Sequence, residues 1–303
     1  MMEFSDFCTI IREKYPDIVI KENEMLSKHT SFKIGGPARI MVFPHTTEAL
    51  QFVLKLCAQM DFKPRILGAG TNVLAPDEGI DQPVICLKDA LIGMQLLNNN
   101  RIRVYSGVTM ARAAVFAANN GLGGMEFAHG IPGTVGGGVY MNAGAYGGEI
   151  ADICERVTLL TDDCSIVEVP ASSLEFAYRH SILEKSGHIV ISAVFQLYPK
   201  AEAEVRAYMA ELIGRRRNSQ PLDMPSAGSA FKRPATGYAA ALIDQSGLRG
   251  FQVGGAAVST KHTGFVVNAG GATARDVTDL LDRVSDIVFD KFGVRLEPEV
   301  RIW

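Results

Sequence analysis

Residues 130 to 148 read Gly-Ile-Pro-Gly-Thr-Val-Gly-Gly-Gly-Val-Tyr-Met-Asn-Ala-Gly-Ala-Tyr-Gly-Gly, eight glycines in nineteen positions. Glycine gives up more backbone freedom on folding than any other residue and brings no side chain to pack. A stretch this rich in it therefore belongs where backbone must approach something closely. That something is either other backbone or a ligand, and the residues alone leave both open. The glycines follow no three-residue period, which removes a collagen-like fibre.

A second, shorter glycine segment, Gly68-Ala69-Gly70-Thr71-Asn72-Val73-Leu74, follows the strand-like run Lys63 to Leu67. Backbone N–H groups exposed at such a turn form a nest for a pyrophosphate or nucleotide. It is not a Rossmann fingerprint, because Val73 stands where the third glycine belongs, and no Walker lysine follows.

Around these segments the chain alternates short strands and helices. Ala38 to Phe43 is predicted as a strand, and Ala49, Leu50, Phe52, Val53, Leu56, Cys57 and Met60 recur at helical spacing behind a Thr46 or Thr47 cap. Val84 to Leu87 and Arg101 to Ser106 are strand-like, and Thr109 caps a helix over Ala111 to Asn119. Strand signals return at Cys154 to Thr161, Ser165 to Pro170 and Ile189 to Tyr198. In the last of these, Ile191, Ala193, Phe195 and Leu197 form an apolar face opposite Val190, Ser192, Val194 and Gln196, predicting one core-facing side. Glu202 to Gly214 is predicted as a helix, with Arg215, Arg216 and Arg217 as its solvated basic end. Near the C-terminus, Val277, Leu280, Leu281, Val284, Ile287 and Val288 line one helix face, with Thr273 and Asp276 as a capping box and Gly293 as the stop. A domain boundary is expected near Pro199, where charge rises and apolar alternation stops.

With 303 residues, 47% of them hydrophobic and 21% charged, the chain is long and apolar enough for two or three cores. A net charge of -3 gives no electrostatic footprint for nucleic acid. Five widely spaced cysteines form no CxxC pair, so neither a zinc site nor a disulfide framework is expected. Glu3 and Asp6 replace the basic start of a secretory signal, and no run of 18 apolar residues occurs. A soluble, cytoplasmic protein without metal, membrane or nucleic-acid partner is the expectation.

Taken together, Gly68–Leu74 and Gly130–Gly147 resemble the two FAD-holding segments of the vanillyl-alcohol-oxidase, or PCMH-type, flavin fold. GIPGTVGG at 130 to 137 followed by MNAGAYG at 141 to 147 is similar to one branch of it, the UDP-N-acetylenolpyruvoylglucosamine reductase family. Tyr178-Arg-His-Ser181 resembles that family's YRxS segment, and Pro225 to Pro234 its SAGSxFKxP segment. Gly254 to Asn268 and Leu296 to Arg301 resemble two more, so the likeness runs from about residue 28 to 301, toward the compact type II branch. Arg233 stands where the family often has asparagine.

The resemblance implies an α+β protein: an FAD-binding fold in two subdomains, 1–90 and 91–199, and an α+β substrate-binding domain at 200–295. Residues 296–303 are expected to return to the first subdomain. It implies noncovalent FAD held by Gly68, Ala69, Gly70, Thr71 and Asn72, and by Gly130, Pro132, Gly133, Thr134, Gly136, Gly137, Asn142, Ala143 and Gly144. His129, just before the second segment, is not expected to be a covalent attachment site. NADPH is the implied hydride donor and UDP-N-acetylglucosamine enolpyruvate the implied substrate, reduced to UDP-N-acetylmuramate for peptidoglycan.

The family's catalytic arginine, serine and glutamate fall on Arg179, Ser229 and Glu299. Hydride addition to an enolpyruvyl ether puts negative charge onto the carboxylate, which a permanently charged, bidentate Arg179 suits. Ser229 is the implied proton donor, where placement outweighs acidity. A protonated Glu299 would donate a hydrogen bond to the enolate that an ionised one would oppose. Tyr146, Tyr178, Lys232, Lys261 and His262 are candidates for the substrate, although the tyrosines read equally as wall residues and His262 as structural. Arg215 and Arg233 join the lysines as candidates for the UDP phosphates.

Overall fold

The computed structural model of the chain describes residues 4 to 303, and Glu3 lies outside the described residues. The chain divides into two units, Met1–Glu22 with Ile40–Ala69 and Asp81–Gly214, and Asn23–Arg39 with Gly70–Ile80 and Arg215–Trp303. The division differs from the expected boundaries at 90 and 199. Its cause is burial: Phe32, Ile34 and Leu74 sit in the core of the second unit, which takes their segments out of the N-terminal part.

The first unit holds two cores. In one, Pro37–Phe43, Val84–Cys86 and Arg65–Leu67 pair in parallel, with Val19–Met25 at the edge of the sheet. Helix Thr47–Gln59 packs Leu50 and Val53 there, capped by Thr46 Oγ1 accepting the Ala49 N–H at 3.1 Å. Helix Phe4–Lys14 adds Phe7 and Ile11, an element absent from the sequence reading although Phe4, Phe7, Cys8 and Ile11 recur at helical spacing.

The other core lies on a five-stranded antiparallel sheet in the order Ile166–Pro170, Cys154–Leu160, Ile189–Gln196, Arg101–Tyr105, Met94–Leu97. Ile189–Gln196 is central and buried on both sides, from Val190 through Phe195, instead of on one face. A bulge explains the altered alternation. Leu159 pairs with Val190 and Thr158 with Ser192, so Ile191 is the extra residue. Val190, Ala193 and Phe195 then face one core while Ile191 reaches the other.

In the second unit, Ser226–Ser229, Phe265–Asn268, Ala256–Val258 and Gln252–Val253 form an antiparallel sheet in that order. Helix Ala274–Phe292 buries Val277, Leu280, Leu281, Val284 and Val288 on the predicted face. Its Thr273–Asp276 capping box is complete, and Gly293 ends it at φ 68°. Arg301–Ile302 pairs in parallel with Val73–Leu74. The C-terminus therefore returns to an N-terminal segment, but one that belongs to the second unit.

Helix Glu202–Ser219 runs five residues beyond its expected end at Gly214 and takes in the three arginines. Among the described residues, no helix is long and apolar enough to cross a membrane. The five cysteines are free and buried, and burial pushes the Cys57 and Cys154 thiols up to about 12 and that of Cys86 to about 11.

Replacing Thr273 by alanine removes one half of the capping box. We expect a loss of about 1 kcal/mol in urea unfolding with an unchanged m-value.

Candidate active site

The long glycine segment is not loop throughout, because Val135–Tyr140 is a short helix. Three successive glycines hide it from propensity, each disfavouring helix by about 1 kcal/mol relative to alanine. Thr134 caps it, with Oγ1 accepting the Gly137 N–H at 3.3 Å, and Val135 and Val139 anchor it in the core. Packing explains several glycines. A Cβ on Gly136 would lie 2.8 Å from Ser106 Cβ, and one on Gly144 2.8 Å from Glu149 Cβ. On Gly138 it would meet Met110 Sδ at 2.8 Å, and on Gly148 the Phe127 ring at 2.7 Å.

Gly137 is different. It is exposed, and a Cβ there would meet only Thr134 Oγ1, at an ordinary 3.6 Å. No neighbour excludes a side chain at this position, so the helix presents open, glycine-lined backbone that a ligand can approach. Ser106 supports this: its hydroxyl is buried with no hydrogen-bond partner among the described residues, directly beside Gly136. An orphaned buried hydroxyl costs about 1–3 kcal/mol unless something pairs with it. At the end of strand Arg65–Leu67, Gly68 brings the chain against the cap, since a Cβ there would lie 2.7 Å from Thr134 Oγ1. Glycine-lined backbone, a spare hydroxyl and a helix cap together fit the FAD implied by resemblance. Sequence reasoning passed over Ser106, whose signal was a small polar residue closing a strand just before the Gly107 turn.

The same unit builds the turn that carries Arg179. Ala177 and His180 exchange two backbone hydrogen bonds of 3.1 Å, leaving Tyr178 and Arg179 at a hairpin tip with Arg179 at φ 54°. Arg179 Nη1 donates to the Gly144 carbonyl at 3.1 Å, and its guanidinium lies 5.5 Å from the Tyr178 ring centre. Tyr178 and Tyr146 are exposed, at 52% and 38%. Two expected cofactor side chains are otherwise employed. Thr134 is the helix cap, while Asn142, 1% exposed, donates to Ala177 O and accepts from the Ala151 N–H.

In the second unit, Gly70 approaches the His29 carbonyl so closely that a Cβ would lie 2.1 Å from it. Asn72 Nδ2 donates to the Glu299 carbonyl at 3.1 Å, and Asn72 O accepts from the Arg301 N–H at 2.9 Å. These bonds tie the expected cofactor loop to the C-terminal segment that carries the expected acid. Glu299 is 9% exposed, and its N–H donates to Ala230 O at 2.9 Å. Ser229 therefore lies next to the residue paired with Glu299. The unit brings these two together.

His262 Nδ1 accepts the Gly264 N–H at 3.1 Å, and Gly264 O accepts the Ala230 N–H at 2.8 Å, so His262 buttresses the turn beside Ser229. Lys261 Nζ donates to Arg217 O at 2.6 Å, and Lys232 pairs with Glu297 at 3.4 Å in an exposed contact. Arg233 lies over the Tyr238 ring, 4.6 Å from its centre. Desolvation holds the His262 imidazole below its ordinary value, opposed by a backbone hydrogen bond and reinforced by the Arg249 charge. Burial and the Arg206 charge do the same to His129.

Residues 38–170 match the FAD binding domain family. An alkyldihydroxyacetonephosphate synthase shares the fold alone, with a TM-score of 0.51 and 16% identity over 65% of this chain and 41% of that one. Fold and site together define a PCMH-type, FAD-dependent oxidoreductase. Residues 220–303 match the C-terminal domain of UDP-N-acetylenolpyruvoylglucosamine reductase. The chain is 42% identical over 307 residues to the enzyme of that name from Agathobacter rectalis, covering 98% of each. The crystal structure of the Thermus caldophilus enzyme superimposes with a TM-score of 0.81 at 35% identity, over 94% of this chain and 99% of that one. The chain belongs to the UDP-N-acetylenolpyruvoylglucosamine reductase family.

Gly137→Ala separates packing from ligand contact. Without cofactor the variant should gain up to about 1 kcal/mol from helix propensity, while its FAD affinity in fluorescence titration should fall at least about tenfold. Unchanged affinity would return Gly137 to a purely structural role.

Both depressed histidines make the unfolded chain bind more protons than the folded one below the ordinary value of 6.5. Their stability contribution is complete above 6.5 and is lost as pH falls from there toward the folded values. Melting temperature against pH should therefore decline on the acid side of 6.5, and His262→Asn should flatten part of that decline.

Proposed function

We propose that the protein reduces the enolpyruvyl group of UDP-N-acetylglucosamine enolpyruvate to give UDP-N-acetylmuramate, with NADPH as electron donor, in the supply of peptidoglycan precursors. The observation that supports the residue assignment is the backbone hydrogen bond from the buried Glu299 to Ala230, the residue that follows Ser229 in the chain. FAD, held noncovalently by the glycine-lined backbone at Gly68 and Gly137 beside Ser106, would supply the hydride-carrying chemistry between NADPH and the terminal enolpyruvyl carbon.

Arg179 meets the substrate carboxylate and stabilises the charge that reaches it as hydride arrives. Ser229 gives its hydroxyl proton to the carbon that bears the carboxylate and ether oxygen, and solvent replaces that proton. The sum is one hydride and one proton added across the double bond. A protonated Glu299 donates a hydrogen bond to the enolate and keeps its own proton. Tyr146, Tyr178, Lys232, Lys261 and His262 are retained as substrate contacts, with His262 also structural. Nucleotide substrates and a reducing cofactor support a cytoplasmic setting for this activity.

Anaerobic stopped-flow spectroscopy tests the reading. Enzyme reduced by NADPH should show prompt flavin reoxidation on adding the enolpyruvyl sugar nucleotide, whereas reoxidation by oxygen alone would reject the substrate.

In the same assay Glu299→Gln should stay within about tenfold of the parent, and Glu299→Ala should lose about 100- to 1,000-fold. Equal, near-total losses with normal flavin and substrate binding would end the hydrogen-bond-donor role.

A further inference from the structure

We propose that Asn142 is a positioning residue for Arg179, acting through the hairpin tip Ala177–His180; the inference rests on Arg179 being the group that meets the substrate carboxylate. The Asn142 side chain has a partner at each polar end: Nδ2 donates to Ala177 O at 3.1 Å and Oδ1 accepts the Ala151 N–H at 2.9 Å. Ala177 is the residue that opens the tip, so this amide fixes where the turn begins. Ser181 fixes where it ends. Its fully buried hydroxyl donates to Tyr140 O at 2.7 Å, on the last residue of helix Val135–Tyr140.

Between these two ties stands Arg179 at φ 54°, a left-handed conformation that a non-glycine residue keeps only where its surroundings enforce it. Asn142 has φ 43° itself, which asparagine tolerates better than most residues. The glycine segment thus supplies, through one buried amide and one carbonyl, the frame that sets the direction of the arginine. A guanidinium meeting a carboxylate bidentately depends strongly on such direction.

Two variants separate the side chain from the backbone. Asn142→Gly keeps the left-handed conformation without steric cost and removes the amide. Asn142→Asp keeps the acceptor for the Ala151 N–H and loses the donor to Ala177 O. In the holoenzyme, both should slow reoxidation of NADPH-reduced flavin by the enolpyruvyl substrate about 100-fold. FAD content and flavin reduction by NADPH should remain within about twofold. Hydrogen exchange at the His180 amide, which donates across the tip, should quicken.

In an Arg179→Ala background, Asn142→Gly should cause no further loss, because it acts through the absent guanidinium. Normal substrate reduction by Asn142→Gly, or multiplied losses in the double variant, would overturn the proposal. Should Arg179→Ala alone turn over normally, the reading of Arg179 falls, and His180 exchange then decides by itself whether Asn142 holds the tip. If Asn142→Gly does not fold, Asn142→Asp and Ser181→Ala carry the same comparison from the two ends of the turn.

Discussion

Close approach of backbone to its surroundings at Gly136, Gly138 and Gly144 sets the path of the chain around the short glycine-rich helix of the first unit. With no Cβ at these positions, helix Val135–Tyr140 settles onto Ser106 and Met110, and the chain after it folds back against Glu149. Gly136 N–H then donates to Ser106 O, Val135 N–H to Val108 O, and Met110 N–H to Gly133 O. The helix is weak by propensity and is held by these contacts and by buried Val135 and Val139. Three further contacts lean on it: the Thr134 cap against Gly68, the Tyr140 carbonyl that receives Ser181, and the Gly144 carbonyl that receives Arg179.

The two units solve the problem of holding a polar group by different means. In the first, Arg179 stands on a two-residue tip whose backbone is strained and whose ends are tied by side chains, Asn142 and Ser181. In the second, backbone bonds run from Gly264 through Ala230 to Glu299, and the Asn72 side chain adds a bond to the Glu299 carbonyl. A ladder fixes position within tenths of an ångström but leaves little freedom of direction. A tip leaves direction to the side chains beneath it. A permanent cation on a tip can turn toward a planar partner, whereas side chains on a ladder keep a fixed spacing.

Much of this was legible in the sequence, and the omissions share a cause. The capping box at Thr273, the apolar face from Val277 to Val288 and the caps at Thr46 and Thr109 are local patterns, and the structure has each of them. Local pattern could not supply the neighbour across space. The helix inside the glycines exists because of Ser106 and Met110, some thirty residues earlier. The both-sided burial of Ile189–Gln196 comes from its central place in the sheet and from one extra residue, Ile191. The unit boundary follows Phe32, Ile34 and Leu74 into a core whose other residues come mostly after position 226. For the site, motif likeness named Arg179, Ser229 and Glu299. The buried ends of Asn142 showed only in three dimensions.

Glycine serves a second purpose at Gly228, and the contrast with Gly136 explains which of two nearby serines is presented. No atom lies within 4 Å of a Cβ built on Gly228, so space is not the constraint there; its φ of 79° is. Ser226 pairs with Val267 and Ser229 with Phe265, three steps along one strand against two along its partner. The extra residue bends the strand and re-aims the residues beyond it. Ser226 stays within the frame, where its carbonyl accepts the Ser31 hydroxyl at 2.6 Å. Ser229 comes after the bend, half-buried, with Ala230 bonded on both sides to Gly264 and Glu299. A side chain on residue 228 would have to adopt the left-handed region or remove the bulge, and removing it would shift Ser229 by one position relative to Phe265. The glycine thus sets the register of Ser229 against Phe265 through its conformation and not its size.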